Sequence, residues 1–334
     1  MPSKIAVLGD GAWGTAIALI LAERSDVRVV LWSARPENAQ ILREHRENMK
    51  LLPGVPIPES IELTEDISTA VTEAELWITA IPTVPLRATL KRIAEVCDSV
   101  PPVLSLTKGI EVETFKRPTQ IIQEVLGAER LAVLSGPSHA EEVSRGYPSS
   151  VVVASEEHEI AKRIQEWFST DRFRVYTSSD LLGVELGGAL KNIMGLAGGI
   201  CDGLRLGDNT KAALLTRGLV EMTRFGVALG AESQTFTGLA GLGDMIATCM
   251  SSHGRNREVG ERLGRGESLD EILSTMTKVA EGVATTKSVH ERANRMEIEM
   301  PITREVHGVL YEGESPLEAV SRLMQRAPRG EQMR

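Results

Sequence analysis

Cysteine is scarce in this chain, with Cys97, Cys201 and Cys249 the only three among 334 residues. They form no Cys-x-x-Cys pair, and the six histidines are scattered, with no His-Glu-x-x-His. A disulfide framework and a zinc centre are thereby excluded, no metal site is expected, and a reducing cytoplasm is the expected compartment. Aromatic residues make up only 4%, too few for a platform that stacks single-stranded bases. Positive charge is also short: 37 Lys and Arg against 46 Asp and Glu leave a net charge of −9, with no long basic run. Nucleic acid and anionic membrane are therefore excluded as partners, although a few local cations suffice for a small anionic substrate. No stretch approaches the roughly 20 apolar residues of a membrane span. The apolar region between Lys4 and Ala22 imitates a secretory signal, but Asp10 and three glycines (Gly9, Gly11, Gly14) interrupt it. What is present is an ordinary globular balance, 42% hydrophobic and 25% charged, in a chain long enough for two domains.

The two halves follow different patterns. Up to about Thr177, short β-rich runs alternate with helical periodicity: Ile5–Leu8, Val27–Trp32, Leu76–Ile81, Val103–Leu106, Leu131–Leu134, Val151–Ala154 and Phe173–Tyr176. Such alternation implies βαβ units and a mainly parallel sheet. After about Ser178 the strand signal stops and helical start signals take over. Asp208 or Asn209 is expected to cap a helix over Lys211–Leu229, and Ser268 and Ser315 each open a capping box. The residues beyond Met324 read as a frayed tail. The expected fold is α/β, an N-terminal Rossmann-type parallel-sheet domain over 1–178 followed by an all-α domain over 179–334. The helical half offers apolar surface enough for a homodimer.

Gly9-Asp10-Gly11-Ala12-Trp13-Gly14 fits Gly-x-Gly-x-x-Gly between a strand and a helix. In that context Gly9 permits the tight turn and Gly11 lets a pyrophosphate approach the backbone. Gly14 packs helix on strand, and the helix N-terminus faces the phosphates. An NAD-selective site usually carries Asp or Glu at the end of the second strand. Here that end reads Trp32-Ser33-Ala34-Arg35, with no acid before Glu37. Arg35 suits a 2′-phosphate, so NADP(H) is the expected cofactor, with NAD(H) tolerated; a solvated surface charge is the bland alternative. Lys108 in Ser105–Ile110, and Gly136 and Ser138 in Ser135–Ala140, follow strand ends on the edge where open α/β sheets bind ligands. Each is otherwise an ordinary loop residue.

In the helical half, Lys191 stands inside a small, apolar run, Gly187–Asn192, where burying a lysine is costly unless it is paired. Asp244 follows a glycine-rich turn and reads equally well as a helix cap. Gly254-Arg255-Asn256 offers a guanidinium fork and an amide suited to a phosphate.

Composition and periodicity alone reach a Rossmann dehydrogenase with a helical domain. The ordered motifs GDGAWGTA, AIPT, SLTKGIE, SGPSHAEEV, ALKN, GDNTKAALLTRGL, GLAGLGDMIATC, GRNREVG and EGVATT go further. From about residue 4 to about 325 the chain resembles the bacterial-type NAD(P)-dependent sn-glycerol-3-phosphate dehydrogenase family. The resemblance implies an oxidoreductase that interconverts dihydroxyacetone phosphate and sn-glycerol 3-phosphate and feeds glycerophospholipid synthesis. It implies that Lys191 is the proton donor and acceptor and that Lys108 touches both cofactor and substrate. Substrate contacts carry over to Gly136, Ser138, Asp244, Gly254, Arg255 and Asn256. Cofactor contacts carry over to Trp13, Ala140, Arg255, Val279 and Glu281. The family commonly has Ser where Ala12 and Gly254 stand, so two side-chain contacts are missing here, and Ser251 or Ser252 is a candidate replacement for the second. On this reading the active cleft lies between the domains, with Lys108 lowering the pKa of Lys191 and Asp244 orienting it. Two rivals stay open on sequence: another two-domain NADP-dependent hydroxyacid dehydrogenase, and a catalytically silent NADP(H) sensor.

Overall fold

The computed structural model describes residues 2–276, 279–328 and 330–331. The chain divides into two compact units, one of residues 1–108 and 117–185, the other of residues 109–116 and 186–334.

The first unit is built on eight strands: β1 (Ser3–Leu8), β2 (Val27–Trp32), β3 (Ile61–Thr64), β4 (Leu76–Thr79), β5 (Val103–Ser105), β6 (Leu131–Ser135), β7 (Ser149–Ala154) and β8 (Phe173–Ser178). Between them run α1 (Ala12–Ala22), α2 (Pro36–His45), α3 (Ile67–Val71), α4 (Thr83–Ala94), α5 (Pro118–Leu126), α6 (Ala140–Val143) and α7 (His158–Phe168). The sheet order is β3-β2-β1-β4-β5-β6-β7-β8. Strands β1 to β6 run parallel, while β7 and β8 run parallel to each other and antiparallel to the rest. The strands read as continuous apolar runs because both sheet faces are covered. Ile5, Val7, Val29 and Leu31 pack with Ile17 and Leu21 of α1 and Ile164 and Phe168 of α7. Ala6, Leu8, Val30 and Trp32 face the other way, among Leu86 and Leu90 of α4 and Ile121 and Ile122 of α5. The order reverses at β1, which has β2 on one side and β4 on the other, so the turns after β1 and β4 flank the crevice where such sheets bind nucleotides.

The second unit is helical: α8 (Leu181–Gly203, which begins in the first unit), α9 (Gly207–Ala228), α10 (Ser233–Thr237), a π-turn over Leu239–Gly243, α11 (Asp244–Met250), α12 (Arg255–Gly264), α13 (Leu269–Thr275), α14 (Glu281–Arg295), α15 (Pro301–Tyr311) and α16 (Pro316–Met324). Residues 109–116 join it through Phe115, whose ring lies edge-on to Phe225 at 6.1 Å under the Arg292 guanidinium, and through Ile110, whose carbonyl accepts from Ser288 Oγ. Helices α8 and α12 cross with their backbones in contact. A Cβ on Gly199 would lie 2.0 Å from the Arg257 carbonyl oxygen, and one on Gly260 would lie 2.0 Å from that of Leu196. Gly203 and Gly264 repeat the approach one turn on. No side chain separates the two helices along this seam.

Some local expectations change. Strand β3 carried no sequence signal of its own, being four residues, Ile61-Glu62-Leu63-Thr64, between turn segments. Asp208 and Asn209 do not cap α9. Arg205 and Gly207 take left-handed backbone and bring the chain into the helix earlier, with Leu206 at the N-cap. Asp208 instead sits in the first turn, where its charge opposes the helix dipole favourably. Ser268 closes its capping box with Glu271. Ser315 stands at the N-cap of α16 without a side-chain bond, Pro316 at N1 fixing the helix start.

Candidate active site

In the sheet unit, the turn after β1 is shaped by backbone approach. Gly9 has φ +123°, and a Cβ there would lie 2.7 Å from the Ala80 carbonyl oxygen. A Cβ on Gly14 would lie 2.0 Å from the carbonyl of Gly9. Only glycine fits at either position. Gly11 differs: it has ordinary φ (−63°), and nothing lies within 4 Å of where its Cβ would be. It is the N-cap of α1 and makes no side-chain cap bond, so the N–H groups of Ala12, Trp13 and Gly14 have no acceptor within the helix. Trp13 leans on Phe173, its buried Nε1 without a partner among the described residues. Open space over Gly11, orphan amides and the positive end of α1 together fit a dinucleotide pyrophosphate.

The end of β2 lies beside this turn. Arg35 is exposed at the N-cap of α2. Ser33 Oγ donates to Asp10 Oδ2 at 2.7 Å, and Asn48 Nδ2 donates to the Asp10 carbonyl at 2.8 Å. Further along the same edge, the Gly136 carbonyl collects two donors, Lys108 Nζ at 3.1 Å and Ser138 Oγ at 2.8 Å. Gly136 holds φ +137°, and a Cβ would press within 2.9 Å of Val151 Cα. Three of the sequence-derived residues thus meet at one carbonyl. Ala140 begins the short helix α6 and is buried.

In the helical unit the polar residues converge inside an apolar surround. Lys191 is 8% exposed, and its Nζ lies 3.0 Å from Asp244 Oδ1 and 2.5 Å from Thr248 Oγ1. Asp244 and Thr248, four residues apart on α11, present both partners from one helix face. Asp244 is therefore no cap; Gly243 occupies that position. Next along α8, Asn192 Oδ1 accepts from Asn256 Nδ2 at 2.9 Å, while Asn256 Oδ1 accepts from Gly282 N at 2.9 Å. Asn256 thereby ties α8, α12 and α14 together, with one of its two amide hydrogens already committed. Arg255 is exposed, and its Nη1 donates to the Val279 carbonyl at 3.0 Å. Glu281 opens α14 two residues later. Gly254, the N-cap of α12, is buried where a Cβ would lie 2.7 Å from the Thr248 carbonyl oxygen, so the hydroxyl missing there has no room in this backbone. Ser251 Oγ is engaged by His253 N.

Sequence reasoning missed Thr248, Asn192 and Asp10. The i, i+4 spacing of Asp244 and Thr248 was a readable signal for the first. The thiols of Cys249 and Cys201 are buried, and burial pushes Cys249 up to about 12 and Cys201 up to about 11, which disfavours the thiolate. Among the described residues no group of His, Cys, Asp and Glu is placed to hold a metal, and no helix is long and apolar enough to cross a membrane.

Two family models match the chain: NAD-dependent glycerol-3-phosphate dehydrogenase N-terminus over residues 4–161 and the corresponding C-terminus over residues 180–321. A glycerol-3-phosphate dehydrogenase [NAD(P)+] of Chlorobium phaeobacteroides is 48% identical over 331 residues, covering 98% of this chain and 99% of the relative. One from Moorella thermoacetica is 49% identical over 326 residues, covering 98% and 97%. Among solved structures, glycerol-3-phosphate dehydrogenase from Coxiella burnetii superposes with a TM-score of 0.93 at 37% identity, covering 97% of this chain and 99% of that one.

Proposed function

Because this chain belongs to the NAD-dependent glycerol-3-phosphate dehydrogenase family, we propose that it interconverts dihydroxyacetone phosphate and sn-glycerol 3-phosphate through the residues described above. The observation that carries the reading is the buried ammonium of Lys191, held between Asp244 and Thr248. Bound NAD(P)H supplies the hydride for C2 of the ketone. The residues that hold it are the turn Gly9–Gly14 with the amides of Ala12 and Trp13, Arg35 at the ribose, and Lys108, Ala140, Arg255, Val279 and Glu281.

Reduction leaves an alkoxide at the substrate's C2 oxygen, and Lys191 Nζ donates the proton that neutralises it. In the oxidative direction the same nitrogen takes the proton back. Asp244 fixes the ammonium by charge and Thr248 by direction, so the donor is aimed before substrate arrives. Lys108 contributes positive charge to the oxyanion. Gly136 and Ser138 supply hydrogen-bonding groups for the substrate hydroxyls. Arg255 takes two phosphate oxygens through its fork, with the remaining Asn256 amide hydrogen alongside. Gly254, whose N–H is held by the Ser251 carbonyl at 3.2 Å, sets the start of α12 beside them. A functional division of the chain near residue 178, a cytoplasmic location supported by three free thiols, and a homodimer belong to the same reading. Exposed apolar side chains such as Val227, Ile246 and Met250 support the last.

The test is oxidation of NADPH and of NADH on addition of dihydroxyacetone phosphate, followed by identification of sn-glycerol 3-phosphate. Cofactor binding without turnover would overturn the reading in favour of a silent sensor.

A further inference from the structure

The end of β2 carries no acid, yet a carboxylate stands next to it. Parallel pairing sets Leu8 opposite Trp32, and Gly9 N continues the ladder to the Trp32 carbonyl at 3.0 Å. Gly9 therefore lies beside Ser33, and Asp10, one residue on, reaches Ser33 through its side chain. Ser33 is nearly fully buried, its N–H bound to the Thr64 carbonyl at 2.9 Å, and its Oγ holds Asp10 Oδ2 at 2.7 Å. From the other side, Asn48 pins the Asp10 carbonyl and reaches Thr15 Oγ1 at 3.0 Å. The carboxylate is thus held at Oδ2 and the Asp10 main chain at its carbonyl, while Oδ1 has no partner among the described residues. Arg35, two residues beyond Ser33, is exposed, and its guanidinium likewise has no partner among the described residues.

Resting on the dinucleotide reading above, we propose that Asp10 is a cofactor-specificity residue. Its carboxylate accepts from the hydroxyls of the adenosine ribose and opposes a 2′-phosphate that Arg35 attracts. A carboxylate at the end of the second strand is the usual acceptor for the ribose 2′-OH. Here the phosphate-binding turn supplies it from the neighbouring strand. Two opposite charges flank the same ribose position, so neither NAD(H) nor NADP(H) is strongly refused. Asp10 is the brake on phosphate preference.

The test uses ADP-ribose and 2′-phospho-ADP-ribose, which differ only in the 2′-phosphate and carry no nicotinamide. Their dissociation constants are measured by calorimetry on wild type, Asp10→Asn and Asp10→Ala. The ratio of the two constants is expected to move about three- to tenfold toward the phosphorylated probe in both variants, the scale of one screened charge contact. The NADPH-to-NADH ratio of kcat/KM is expected to move the same way. If both constants change by a common factor, Asp10 only shapes the turn and the proposal falls. It falls equally if neither constant changes. Wild-type protein that binds neither probe would instead overturn the dinucleotide reading itself, and this proposal with it.

Discussion

The sheet unit and the helical unit prepare for ligands by opposite means. At the β1–α1 turn the contacts offered to a pyrophosphate are main-chain ones, orphan amides over an open Gly11. In the helical unit they are buried side chains, Lys191 with Asp244 and Thr248, and Asn192 with Asn256. Main-chain groups recognise a pyrophosphate, which every dinucleotide has, and they are indifferent to most side-chain changes. A proton donor has to be one particular chemical group, and burying it requires partners that are equally particular. In the proposed reaction the first kind of site grips, and the second kind reacts.

The largest effect should come from removing the reacting group. Lys191→Met should lower kcat by about 10² to 10⁴, with NADPH affinity nearly unchanged when measured by fluorescence titration. Retention of more than about a third of wild-type kcat would assign the proton to another residue. Arg255→Ala should follow, losing roughly 30- to several-thousand-fold in kcat/KM for phosphorylated substrate, with activity on dihydroxyacetone barely altered. Because Arg255 also holds the Val279 carbonyl, NADPH binding has to be measured beside it. Equal losses on both substrates at saturating NADPH would make it a cofactor or structural residue.

A pair of glycines then separates gripping from scaffolding. Gly199→Ala puts a methyl into the Arg257 carbonyl and should lower stability by about 1–3 kcal/mol or more, visible in denaturant unfolding. Gly11→Ala meets no atom and should unfold like wild type while binding NADPH more weakly. A Gly11→Ala protein with full NADPH affinity would argue that the pyrophosphate lies elsewhere. The smallest effect concerns cofactor choice. NADPH should serve at least as well as NADH, and Arg35→Asp should swing kcat/KM toward NADH by about tenfold. A wild-type preference of tenfold or more for NADH would remove the role of Arg35.

Much of this contrast was legible beforehand, for physical reasons. Both sheet faces are buried, so most strands announce themselves as apolar runs, and the glycines of the β1–α1 turn are visible because backbone approach tolerates nothing else. Strand β3 escaped because four residues at a sheet edge carry too little pattern. The reversal of β7 and β8 escaped because periodicity is blind to strand direction. Lys191 and Asp244 stood out as charges in apolar or glycine-rich company. Asn192 did not, since its partner Asn256 is brought to it by a helix crossing that no local pattern encodes. Asp10 was read as an interruption of an apolar run. Its neighbour Ser33 becomes apparent only when β1 and β2 are laid side by side.

The α8–α12 seam has a consequence for how this sequence can change over time. A tight contact between side chains can be repaired by trimming one when the other grows. Gly199, Gly203, Gly260 and Gly264 have nothing left to trim. Any added atom must be answered by moving a whole helix, and α8 carries Lys191 and Asn192 while α12 carries Asn256. Displacement would part Asn192 from Asn256 and shift Lys191 from its partners on α11. The alignment of the Lys191 nitrogen is therefore inherited in part through four positions that have no side chain at all.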